Sequence, residues 1–246
     1  MAPSSKPLYD TIGRGYAERR REDPRVATPI LEALEGCSSV VNVGAGAGSY
    51  EPRDRRVVAV EPSPVMIGQR GARAAPVVRA TATRLPFDDA SFDASMAVLT
   101  IHHWPDAAGG LRELRRVARR RTAVLTCDPS LEGFWLADYF PEILEIDRRT
   151  MPSLSDVQRH LGATAIVEVP IPHDCIDGFL GAYWRRPEAY LRADVRSSIS
   201  SLARLRDPEP GLAALRVDLE SGAWAQRYRD LLARPALDIG YRLVIA

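Results

Sequence analysis

Between Val40 and Pro62 the chain reads VVNVGAGAGSYEPRDRRVVAVEP: an apolar run, a turn carrying three glycines, and a second apolar run that ends in an acidic residue. Few folds accommodate that order. Val40–Val43 and Val57–Val60 are predicted as buried strands. Gly44, Gly46 and Gly48 let the backbone turn sharply and let a ligand approach the main chain without Cβ atoms in the way. Glu61, at the tip of the second strand, is the residue type that accepts from a ribose diol. The placement of that carboxylate favours a pocket for an adenosine-type ligand over a ligand-free core turn.

A dinucleotide suits this stretch poorly. Its fingerprint is G-x-G-x-x-G, whereas here the third glycine comes one residue early and Ser49 takes its place. A pyrophosphate also needs a helix N-terminus, where free N–H groups and the macrodipole favour an anion. Only Ser49 to Arg56 separate the turn from the next strand, and Pro52 interrupts them. A ligand with a ribose and no phosphates fits better, and S-adenosylmethionine (SAM) is the common one.

Alternating strands and helices follow on either side. A helix is predicted from Tyr9 to about Arg21, with Tyr9, Tyr16 and Arg20 near one face. Pro24 marks a break, and Val26–Leu34 forms a second helix that stops at Gly36. Ser63–Arg73 reads as a helix with Ser63 as N-cap and Pro64 at its first position. Strands are predicted at Pro76–Ala80, Ala94–Thr100, Thr122–Cys127, Thr164–Val169 and Ile239–Ile245, with a basic helix at Leu111–Arg120. The nearly continuous apolar strands imply a doubly wound parallel α/β sheet whose ligands bind at the carboxyl ends of the strands. Residues 131–162 and 171–236 read as mainly helical, the latter with two long stretches, Asp177–Leu205 and Gly211–Leu232. So long a connection implies a cap over the ligand edge or an oligomer contact such as a homodimer interface. The expected organisation is a single domain over 1–246, with residues 9–130 as the ligand-binding core.

Composition narrows the function classes. The 33 basic and 32 acidic side chains nearly cancel, so no global field draws the chain to nucleic acid or membrane. Cys37, Cys127 and Cys175 are odd in number, widely spaced and outside any C-x-x-C pair, which argues against a disulfide framework or zinc site. MAPSSKPLYD has no apolar core for a signal peptide, and no run reaches membrane-spanning length. A soluble cytoplasmic protein is expected.

Four segments in this order resemble class I SAM-dependent methyltransferases of the type 11 small-molecule group: VVNVGAGAGSY, VVAVEPSPVM, ATATRLPFDDASFDAS and LTIHHWPD. The resemblance covers roughly residues 9–130 well and the rest loosely. It implies a Rossmann-like seven-stranded sheet with the last strand antiparallel, in keeping with the closing GYRLVIA. By position, Gly44, Ala45, Gly46 and Gly48 would line the methionine part of SAM, and Glu61 would hold the ribose. Pro62 and Met66 would pack on adenine, and Ala82 would bond its edge. Leu99 and Thr100 would lie beneath the sulfonium, and Tyr16 and Arg20 would close over the methionine end. Two positions depart from the family: Asn42 stands where an acidic residue is usual, and Thr81 where Asp is common.

Methyl transfer to a protic acceptor needs alignment, exclusion of water and a place for the proton. Histidine is the natural base. His102 and His103 leave the fourth strand's carboxyl end, and adjacent residues point apart, so one of them faces the acceptor. His102 is the favoured base, because the related cyclopropane-forming group places a functional acidic residue there; the other reading is that both cap the turn before Pro105. An unshifted imidazole would put the acid limb of the rate near its ordinary value. His173 and Asp174, with Tyr183 and Trp184 on the cap, are acceptor-side candidates, although adjacent aromatics on a helix are more often packing. Asp106 and Asp128 are too few for a metal, and none is expected. A small-molecule methyl acceptor is therefore expected, with a non-catalytic SAM-binding scaffold or an NAD(P)-dependent oxidoreductase as the alternatives.

Overall fold

The computed structural model describes residues 9–12, 16–130 and 133–246. Nine strands are assigned among them: β1 Ser39–Val43, β2 Arg56–Val60, β3 Val77–Val78, β4 Phe92–Val98, β5 Ala118–Cys127, β6 Ala165–Glu168, β7 Ile171–Pro172, β8 Ala236–Leu237 and β9 Tyr241–Ile245. Seven form one sheet in the order β3-β2-β1-β4-β5-β9-β6, with β9 antiparallel to both of its neighbours. This is the expected Rossmann-like sheet with an antiparallel last strand. The chain reverses direction across the sheet between β1 and β4, and β1 pairs in parallel with both β2 and β4. A crevice at the carboxyl ends follows from that switch point.

Every residue of β1 is buried, as a central strand covered on both faces requires. One face packs Val26 and Ile30 of the helix Pro24–Ala33 against Val40, Val57 and Met96. The other packs Leu111, Leu114 and Val117 of the helix Ala107–Val117 against Val41, Val43 and Val124. A third apolar cluster belongs to the cap: Trp135 meets Tyr190 and Trp224 edge-on, with ring centroids 5.6 and 5.2 Å away.

Several local expectations change. Pro24 begins a helix instead of breaking the chain, because Asp23 caps it by accepting from the Arg25 amide at 3.0 Å. The predicted Tyr9–Arg21 helix is two single turns, Tyr9–Ile12 and Tyr16–Arg19, with residues 13–15 outside the described set. Ser63 caps as expected, yet its helix is one turn, Pro64–Ile67, ending at Gly68 because Arg70 turns inward to the Gly46 and Ala75 carbonyls. The basic helix stops at Val117, and β5 starts at once with the exposed Arg119–Arg121. Leu154–Leu161 belongs to the layer flanking the sheet, where Val157 and Leu161 join Leu111 and Leu114, and not to the cap. The stretch 177–205 is a series of short 3₁₀ and α turns, since Gly178 and Pro187 interrupt it. β7 and β8 form a small separate sheet that was not anticipated.

The glycine turn owes its shape to contact with the end of β4. Gly44 has φ +71°, and a Cβ there would lie 2.2 Å from Thr100 Oγ1. Its amide and that of Ala45 donate to the Val60 carbonyl at 2.9 and 3.1 Å, which locks the turn to β2. We predict that Gly44→Ala lowers the unfolding free energy by about 1–3 kcal/mol, the scale of a strained backbone residue. Urea denaturation measures this, and an unchanged midpoint would mean that Thr100 yields freely.

Candidate functional site

A cavity of about 420 Å³ opens at the carboxyl ends of β1, β2 and β4. It is lined by Asn42, Gly44, Ala45 and Gly46 from the glycine turn and by Glu61, Pro62 and Met66 after β2. Thr81, Ala82, Leu99 and Thr100 complete the sheet side, and Tyr9, Tyr16 and Arg20 close it from the N-terminal turns. All the cofactor positions named from the sequence line this cavity except Gly48. That glycine serves packing: a Cβ on it would lie 3.1 Å from Ala74 Cβ and 3.3 Å from Glu51 Oε2.

Glu61 is buried, and each of its oxygens holds a backbone amide, Gly46 at 2.8 Å and Ser63 at 2.9 Å. It therefore builds the pocket as well as facing into it. Burial raises its pKa above the usual carboxylate value, opposed by the two amides. Behind Asn42 stands an acid that the sequence reading missed, Glu51. Glu51 is buried, accepts from Asn42 Nδ2 at 3.3 Å and the Ala75 amide at 2.8 Å, and pairs with Arg70 at 2.6 Å. Arg70 in turn donates to the Gly46 carbonyl at 3.0 Å and so pins the turn from outside. An acidic residue a few positions past the turn, with an arginine just beyond the helix that follows β2, was the available signal.

Arg20 forms part of the cavity wall. Its Nε lies 2.5 Å from Asp177 Oδ1, a second nitrogen bonds Asp177 Oδ2, and the third donates to the Tyr16 hydroxyl. Tyr50 donates to the same carboxylate at 2.8 Å. Leu99, after β4, has φ +51°, a left-handed conformation costly for a branched side chain and typical of residues held at working sites.

A second, smaller chamber of about 50 Å³ adjoins the first, and Tyr9, Arg20 and Leu99 line both. His102 lines this chamber, together with Phe179, Leu180 and Tyr241, whereas His103 lines the large cavity and meets the Tyr9 hydroxyl at 3.1 Å. The two imidazoles do not point apart as expected: their rings lie against each other, with centroids 3.8 Å from each other, although each lines a different cavity. Burial, helped by the positive charges of Arg204 and Arg20, lowers the His102 pKa to about 4. Burial also pushes His103 well down, with His102 itself next in effect. The ordinary imidazole value expected for His102 is thus corrected: desolvation keeps both rings neutral. Tyr9 is held as the neutral phenol, burial raising its pKa well above the usual value.

His173 lines neither cavity. It follows β7, with its amide donating to the Pro235 carbonyl at 3.0 Å, and its neighbour Asp174 pairs with Arg25 on the surface. Trp184 is fully buried and donates to the Ile171 carbonyl at 2.9 Å, and Tyr183 stacks beside Arg186. These residues pack.

Comparison with known proteins agrees with this geometry. A methyltransferase-domain family model matches residues 41–126. A demethylmenaquinone methyltransferase of Roseiflexus castenholzii is 30% identical over 183 residues, covering 66% of this chain and 74% of that one. The crystal structure of a putative methyltransferase from an antibiotic biosynthesis pathway of Anabaena variabilis superposes with a TM-score of 0.85 at 33% identity, covering 93% of this chain and 98% of that one.

The chain belongs to the class I SAM-dependent methyltransferases.

At the level of the fold alone, the methyltransferase also resembles the geranyl diphosphate C-methyltransferase of Streptomyces coelicolor, solved with S-adenosylhomocysteine, at 16% identity and a TM-score of 0.52. Its large cavity fits SAM. Glu61 lines it at the end of β2, the glycine turn lines it with little side chain, and Arg20 is engaged by Asp177 and Tyr16 and so not offered to a phosphate. That engagement weighs against the NAD(P) alternative. Among the described residues no helix is long and apolar enough to cross a membrane.

We predict that Glu61→Ala weakens SAM binding by about 1.5–3 kcal/mol, the range for hydrogen bonds to a charged group. Since the carboxylate also holds the Gly46 and Ser63 amides, the melting temperature of the SAM-free protein should fall as well. Calorimetry and thermal melting test the two effects; unchanged affinity would place the ribose elsewhere.

Proposed function

We propose that this methyltransferase transfers a methyl group from SAM to a small-molecule acceptor seated in the second chamber, with His102 receiving the acceptor's proton. One observation carries the reading: the chamber that contains His102 shares the wall of Tyr9, Arg20 and Leu99 with the cofactor cavity. The relatives' names support a small acceptor, since one acts on demethylmenaquinone and another belongs to an antibiotic pathway.

When bound, SAM supplies an electrophilic methyl group on a sulfonium. The protein's own residues supply the rest. Leu99 and Thr100 line the cavity where they would lie beneath the sulfonium, and the Arg20–Asp177 pair fixes the side wall. The 3₁₀ turn Leu180–Tyr183 and residues 198–201 cover the chamber and limit water. His102 is neutral at physiological pH and has a lone pair ready for a proton. His103, tied to Tyr9 on the cofactor side, is placed to hold that tyrosine over the cavity.

His102→Ala should lower kcat by roughly 10²–10⁴-fold with SAM affinity nearly intact, while His103→Ala should act mainly on SAM affinity. The folded-state pKa of His102 is depressed, so its base form persists until the pH falls through about 4. The wild-type rate should therefore stay level through mild acidity and drop near that value, and the mutant should lack this limb. A full-rate His102→Ala enzyme would remove His102 from the chemistry.

A further inference from the structure

The second chamber carries an unequal set of hydrogen-bonding groups. Ser198 Oγ donates to the Val195 carbonyl at 2.7 Å, and Ser201 Oγ donates to Asp147 Oδ1 at 2.7 Å. With both protons engaged behind the wall, these serines have lone pairs left for a ligand. Tyr241 Oη accepts from the Gly181 amide at 3.1 Å and keeps its own proton to donate. His102 offers one N–H and one lone pair.

Charge is equally one-sided. Among the described residues that line the chamber, Arg20 is the one charged side chain and none is a carboxylate, since Asp147 stands behind Ser201 and Asp177 behind Arg20. A cationic amine would face Arg20 without a counter-charge. A carboxylate or phosphate would find that guanidinium already paired with Asp177. A neutral acceptor leaves the Arg20–Asp177 pair undisturbed. The remaining surface is apolar and aromatic: Phe179 and Tyr241 lie 4.8 Å apart between ring centroids, with Leu99, Leu180 and Ile199 around them. A volume of about 50 Å³ has room for the edge of a ring with two adjacent substituents, about four heavy atoms.

Building on the methyltransferase reading above, we propose that the acceptor is a small hydroxylated aromatic ring methylated on oxygen, with a second hydroxyl donating to Ser198 or Ser201. The acceptor oxygen forms the new O–CH₃ bond as the C–S bond of the sulfonium breaks. Sulfur keeps the bonding pair as a thioether, and the hydroxyl proton passes to His102 and from there to solvent. Ser198 and Ser201 then act as specificity residues, reading the second hydroxyl.

The test uses the full chain, SAM, and matched probes: catechol, phenol, aniline and benzylamine. Products are identified by mass spectrometry. Catechol binding to protein loaded with S-adenosylhomocysteine is measured by calorimetry. Expected are a mono-O-methyl ether from catechol, formed faster than from phenol, with both amines at least about 10-fold slower, the cost of roughly one unmatched polar group. Ser201→Ala and, separately, Ser198→Ala should bring catechol affinity towards that of phenol, at least one of them by about 5- to 10-fold, with SAM affinity unchanged. Ser198→Ala leaves no charge unpaired, so it remains informative if loss of the Asp147 partner unfolds the other variant. Preferential N-methylation, ring C-methylation, no methylated hydroxyl in the panel, or catechol binding indifferent to both serines would each overturn the proposal. SAM titrated alone separates the two levels: a protein that fails to bind it refutes the broader reading, whereas one that binds it and methylates another atom refutes only this one.

Discussion

The site depends on one buried ion pair. Arg20 and Asp177 are both shielded from solvent, and their short double contact joins the second N-terminal turn to the segment entering the cap. Tyr50 reaches the same carboxylate from the glycine loop, so three separate stretches of chain meet on Asp177. Removing one partner of such a pair costs about 3–5 kcal/mol, because the other is left as an uncompensated buried charge. Here the consequence is also geometric. Arg20 forms part of both cavities, so the position of its guanidinium sets where the cofactor space ends and the acceptor chamber begins.

A second pair does comparable work at the other end of the cofactor cavity. Arg70 and Glu51 hold the glycine turn from outside, and Glu61 holds it from inside through the Gly46 amide. Gly46 is thus gripped by its carbonyl and its amide together, and Asn42 needs to supply only one neutral hydrogen bond to Glu51. The departure at Asn42 therefore leaves the turn intact, since the Arg70–Glu51 pair and Glu61 hold it.

Much of this was legible in the chain. β1, the glycine turn and β2 declare themselves because strand burial, φ > 0 and close backbone approach each restrict residue choice locally. The same holds for Ser63–Pro64 as a helix start. What escaped is what depends on partners far away in sequence. Asp177 meets Arg20 across 157 positions and Ser201 meets Asp147 across 54, and nothing in local spacing marks either contact. The long helices expected over 177–205 failed for the same reason: Gly178 sits against the Arg19 carbonyl, 2.7 Å from where a Cβ would stand, and that contact sets the local path of the chain. The shift of the His102 pKa was likewise invisible, since it comes from burial under residues of the cap. His173 read as an acceptor-side candidate, but the strand before it, β7, belongs to the small outer sheet.

The central claim is that the cofactor's sulfur lies at the boundary of the two chambers, facing the one that holds His102. A crystal structure with S-adenosylhomocysteine tests it most directly. The account places the ribose on Glu61 and the sulfur above Leu99 and Thr100 beside Tyr9 and Arg20, with unblocked space from sulfur to the His102 ring. A sulfur turned away from that wall, or a ribose remote from Glu61, would contradict it.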